Sequence, residues 1–131
     1  MKLKLLFFIT FLMSFLFVNG QERTSKLIYN QVSVHQFFGG KWVETDNIES
    51  TKVYYWDNEE KKLMTEEGYV FELIFEKTDK NAQHYFTKDG HKFVFRLKRD
   101  GKYVYPYVLE FYKEKKDNQY TKCFKYKNTL L

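Results

Sequence analysis

The chain has 131 residues and a formal net charge of +5, with 22 basic side chains against 17 acidic ones. Near-balanced charges scattered along the chain exclude the basic footprint of a dedicated nucleic-acid binder. One cysteine, Cys123, excludes an intrachain disulfide, so packing of 11 Tyr, 2 Trp and the nine of 14 Phe that lie beyond residue 20 has to supply the stability.

Residues 1–20 read as a secretory signal peptide. Lys2 and Lys4 give a basic start, and Leu5–Val18 is an uncharged apolar run. Val18-Asn19-Gly20 then offers a cleavage site before Gln21. The run is shorter than the ~20 apolar residues of a membrane-spanning helix. Its removal leaves 111 residues with 20 basic and 17 acidic side chains, enough for one domain in a secreted or periplasmic setting.

Residues 21–39 hold no sustained stripe of either period and are expected to form an N-terminal arm with a short turn before Gly39-Gly40. A domain over 40–127 follows, and the tail 128–131 is expected to fray. Alanine and proline each occur once, while Tyr, Phe, Val and Thr abound, which disfavours helices. Short runs separated by turn residues predict strands at Lys41–Asp46, Thr51–Trp56, Lys62–Thr65, Tyr69–Lys77, Gln83–Thr87, His91–Lys98, Tyr103–Tyr112 and Tyr120–Lys127. Asp46-Asn47, Asp57-Asn58, Glu67-Gly68, Asp79-Lys80-Asn81 and Asp117-Asn118 mark breaks, and Asp89-Gly90 and Asp100-Gly101 are hairpin signals. The fold class is all-β: an antiparallel up-and-down meander of about eight strands, as a small barrel or a strongly curled sheet.

Charge alternation assigns the faces. Glu110 shares a face with Val104, Pro106 and Val108, and an unpaired buried carboxylate is costly, so that face is expected outward. Tyr103, Tyr105, Tyr107, Leu109 and Phe111 then point inward, with Phe93, Phe95 and Leu97 beside them and Phe71, Leu73 and Phe75 on the third run. These choices agree only if Arg99-Asp100-Gly101 is a three-residue loop with Gly101 left-handed, which sets Phe95 opposite Tyr105. Pro106 needs an edge or a bulge, because it has no N–H to donate.

Gly40-Lys41-Trp42 resembles the Gly-x-Trp signature that opens the barrel of lipocalins and related calycins. The resemblance implies that Trp42 closes one end of a barrel under a cation from the last strand, Lys125 or Lys127. Independently, the inward concentration of rings predicts a site for a small apolar or aromatic ligand, lined by Phe71, Leu73, Phe75, Phe93, Phe95, Tyr105 and Tyr107 and closed at one end near Trp42. The alternative from the same residues is a surface or interaction protein whose aromatic core is filled and holds no ligand.

Catalytic and metal signals are weak. His35, His84 and His91 lack metal-ligand spacing, and Thr87 rather than His84 is expected to face His91. There is no nucleophile elbow, phosphate loop or carboxylate pair, so the chain is read as a non-enzyme without cofactor or metal. Lys92, Arg96, Lys98 and Lys102 form a basic outer face suited either to solubility or to an anionic polysaccharide or protein partner. Nucleic acid is not expected there.

Overall fold

A computed structural model describes residues 24–130, so the expected leader and its cleavage site lie outside the described residues. The fold is all-β, as the sequence predicts. Among the described residues nine strands run β1 (Thr24–Phe38), β2 (Lys41–Asp57), β3 (Lys62–Thr65), β4 (Val70–Glu72), β5 (Ile74–Asp79), β6 (Ala82–Phe86), β7 (Lys92–Asp100), β8 (Tyr103–Lys116) and β9 (Gln119–Lys127). They form one sheet in the order β4-β3-β2-β1-β9-β8-β7-β6-β5, an up-and-down meander whose first strand pairs with its last. The two ends of this order, β4 and β5, are neighbours in the chain, separated by Leu73 alone.

Two compact units divide the chain. The smaller holds the described start of β1 through Leu27 and the segment Val53–Glu72. In it β3 pairs with β2 and β4, setting Leu63 opposite both Trp56 and Phe71. Leu63 is completely buried and Trp56 nearly so. Asp57 Oδ1 accepts from the backbone N–H groups of Glu59 and Glu60 at 3.0 Å, which ends β2 with an Asx turn.

The larger unit holds Ile28–Lys52 and everything from Leu73 on. Its first correction to the sequence reading is β1. The expected arm is a 15-residue strand, paired from Gln31 to Gln36 with β9. Burial changes parity between Tyr29 and Val32, and Val32 and Ser33 are both buried, so no clean alternation was there to be found. The described tail residues Asn128 and Thr129 are pinned rather than frayed: Asn128 N donates to Tyr107 O, and Asn30 and Thr129 exchange two hydrogen bonds. Asp46-Asn47 is no turn, and β2 runs through it, while the predicted strand Tyr69–Lys77 is broken at Leu73. Thr87 does face His91, its N–H donating to the His91 carbonyl at 3.0 Å.

The second correction is the β7–β8 register. Gly101 is left-handed as expected, with φ of 63°. The loop is nonetheless Gly101-Lys102, closed by Asp100 opposite Tyr103. Leu97 lies opposite Pro106, and a bulge then shifts the ladder so that Arg96 faces Val108 and Phe95 faces Leu109, not Tyr105. The bulge accommodates Pro106, which cannot donate to a regular ladder, by leaving Tyr107 as the extra residue. It also splits the expected inward set. Leu109 and Phe111 stay with Phe95 and Phe93, whereas Tyr105 falls opposite Lys98 on the other face.

Candidate functional site

The aromatic residues expected to line a pocket pack on one another where β5 to β8 bring them together. Phe93 stacks on Phe111 with centroids 4.6 Å apart and planes 13° from parallel. Phe95 meets Tyr85 at 5.4 Å, and Tyr85 meets Phe75 edge-on at 5.5 Å. Each such pair adds roughly 1 kcal/mol beyond the area it buries. Phe93, Phe95 and Leu73 are buried, but Phe75 is 49% exposed. Tyr107 is half-buried at the bulge and Tyr105 half-buried beyond it, and Phe71 belongs to the smaller unit. Trp42 sits edge-on between Phe37 at 5.4 Å and Tyr112 at 5.6 Å. Lys125, expected over the indole, instead brings Nζ to 3.8 Å from Glu110.

Glu110 is the residue that sequence reasoning placed wrongly. Its face is covered, and the side chain is only 2% exposed. The premise, that an unpaired buried carboxylate is costly, still holds, because Glu110 is fully partnered. Arg96 Nε and Nη2 donate to Oε2 and Oε1 at 2.7 and 3.2 Å, and the Tyr112 hydroxyl donates to Oε1 at 2.7 Å. Burial pushes the carboxyl pKa up, but Arg96, Tyr112 and Lys125 outweigh it and hold it below its ordinary value. Burial and the Glu110 charge push Tyr112 up, and the same two causes push the Cys123 thiol up to about 12. The cluster thus keeps the carboxylate charged and the phenol and thiol protonated at neutral pH.

A second polar group lies on β1. Ser33 Oγ is 3.0 Å from His35 Nε2, and Glu44 Oε1 is 3.9 Å from the same nitrogen. A hydrolytic triad needs the acid on the other ring nitrogen, so this geometry does not make one, and Ser33 is itself buried. Burial, helped by Lys125, lowers the His35 pKa. Among the described residues no group of three or more His, Cys, Asp or Glu side chains could hold a metal ion. Of the four basic residues read as an outer face, Arg96 is committed to Glu110, and Lys92 lies 3.9 Å from Glu76.

Scanned against family models, curated proteins and solved structures, the chain matches none.

Proposed function

We propose that this protein is a non-catalytic binding protein that acts through its surface, with its aromatic face serving as a filled core. The observation that supports this is the ring chain Phe75–Tyr85–Phe95, together with the stacked Phe93–Phe111 pair. Rings in mutual contact use the faces that a ligand would need. Titration of the protein with a fluorescent apolar probe should then show no saturable uptake. Stoichiometric uptake that the bulkier Phe95→Trp abolishes would overturn the filled-core reading.

A second reading, the lipocalin-like carrier of a small apolar ligand, draws on the pairing of the first strand with the last and on Gly40-Lys41-Trp42. Saturable uptake in that titration is its expected result. In both readings the leader-like run 1–20 supports an exported protein. Exported material should begin at or within a few residues of Gln21, as mass spectrometry would read; an intact Met1 would remove the export reading.

A further inference from the structure

The positive charge of this chain is concentrated on one hairpin. Between Lys113 and Lys127 there are six lysines and two carboxylates, Glu114 and Asp117. The rest of residues 24–130 carries 13 basic and 14 acidic side chains. The β8–β9 hairpin therefore holds more than the whole net charge of the described residues.

Three of these lysines are arranged rather than scattered. Lys113 and Lys122 stand directly opposite each other across the β8–β9 ladder. Their Nζ atoms lie 5.8 and 5.5 Å from the centroid of the same ring, Phe124. Lys115, two residues further along β8, sits with Nζ 4.9 Å from the Tyr120 centroid. Tyr120 is itself anchored, its hydroxyl donating to the Gly90 carbonyl at 2.8 Å. Like charges directly opposite in a sheet repel, and the ordinary remedy is a neighbouring carboxylate. Among the described residues, none of the three lysines has one within 4 Å. The rings hold the ammonium groups in place by cation–π attraction without neutralising them.

We propose that Lys113, Lys115 and Lys122 bind an acidic polysaccharide. A carboxylate or sulfate group bridges Lys113 and Lys122, and Lys115, beyond the left-handed Glu114, meets a further anionic group. The surroundings favour this partner over other polyanions. Single-stranded nucleic acid binds through bases stacked on open rings. Here Phe124 lies beneath two ammonium groups and Phe111 is stacked on Phe93. A membrane surface is met by apolar side chains entering the acyl boundary, but the tip of this hairpin is Asp117-Asn118 and is exposed and polar. An acidic peptide gains most of its order by adding to a free strand edge, whereas β8 and β9 are each paired on both sides. A stiff polysaccharide presents its anionic groups at fixed spacing and needs no edge.

The inference rests on the surface-binding reading, but its test measures a property that probe uptake does not. Probe uptake by the protein would remove the filled core and leave this site standing. Affinity for heparin and for alginate is measured in solution at 0.05 and 0.5 M NaCl. Binding to at least one, weakened tenfold or more by the higher salt, is expected. Lys113→Gln/Lys122→Gln should lower affinity at least tenfold while the melting temperature holds or rises, because the cross-strand repulsion is gone. Lys113→Arg/Lys122→Arg should retain binding, and Lys115→Gln, at an exposed side chain, should lower it about threefold. Lys77→Gln/Lys80→Gln, elsewhere on the surface, should change it less than twofold. The proposal is overturned if the protein shows no salt-sensitive binding to either polysaccharide. It is equally overturned if Lys113→Gln/Lys122→Gln binds as well as the parent, or if single-stranded DNA, polyglutamate or anionic vesicles bind more tightly than the polysaccharides.

Discussion

Phe93→Ala should lower the free energy of unfolding by ~3–5 kcal/mol, the range for deleting a buried phenyl ring that its surroundings cannot replace. Phe93 is 1% exposed and lies against Phe111 at 4.6 Å, so truncation removes both transfer energy and a stacked partner. Its cross-strand neighbours, Tyr85 and Phe111, are held in ladders on either side and cannot close the gap by moving. A domain of this size has ~5–15 kcal/mol to lose, so denaturant unfolding should show a large drop in midpoint. Phe93→Leu should cost about 1–2 kcal/mol, because it keeps most of the volume. The alanine variant should also take up a small aromatic probe into the new cavity. A loss below ~1 kcal/mol for Phe93→Ala would mean that the ring is not part of a filled core.

Arg96→Met should reverse the pH dependence that Glu110 imposes on stability. In the parent protein the Glu110 carboxyl is pushed up by burial but pulled lower still by Arg96, Tyr112 and Lys125, so its folded pKa lies below the ordinary value. A group depressed in this way contributes stability that is complete above its unfolded pKa, about 4.3, and is lost as pH falls through the folded one. Without Arg96 the bidentate partner is gone and burial dominates. The folded pKa then rises above the unfolded one, and the buried charge becomes a penalty that protonation relieves. At pH 7 the variant should be less stable by roughly 3 kcal/mol, the low end for a broken buried pair because half-exposed Arg96 is itself partly solvated. The gap should narrow as pH falls from 7 towards 4, read by urea unfolding at both values. A gap that is the same at both would show that Glu110 does not carry the effect. Arg96→Met/Glu110→Leu should recover much of the loss, since the buried carboxylate is gone and the Lys125 ammonium, about a third exposed, is left to solvent.

Local chemistry made most strands legible, and long-range pairing decided what was not. Turn residues located Lys62–Thr65 as it stands and the strands from Gln83 on within a few residues, since Asp-Gly pairs favour backbone conformations that other residues resist, whereas Asp46-Asn47 marked no turn. Pro106 announced an edge position or a bulge, and the bulge is what forms. Its consequence, a one-residue shift that moves Tyr105 away from Phe95, was hidden because the alternation of Tyr103 to Phe111 runs unbroken through the bulge. Glu110 was misplaced for a similar reason. Its partners come from β7, β8 and β9, and no spacing in the sequence announces that Arg96, Tyr112 and Lys125 converge on one carboxylate. The lysine triad escaped notice because Lys113 and Lys122 become neighbours only once the β8–β9 register is known. Six lysines in the last two strands were nonetheless visible as a local excess.

The pairing of β1 with β9 governs when this protein can finish folding. Every other ladder from β5 onward joins strands adjacent in the chain and closes over a short loop, on the time scale of hairpin formation. The β1–β9 ladder and its tail contacts span nearly the whole described chain, with Asn128 bonded to the Ile28 carbonyl across a separation of 100 residues. Closing so long a loop is entropically costly, and its contacts must form after the others have made the search small. A chain emerging amino end first makes β1 early and completes β9 last. Until β9 arrives, one edge of β1 offers a row of unpaired backbone groups to any passing strand. The final nine-residue strand is therefore a kinetic safeguard as well as a structural one, and a chain truncated before Gln119 would retain an open edge that invites aggregation.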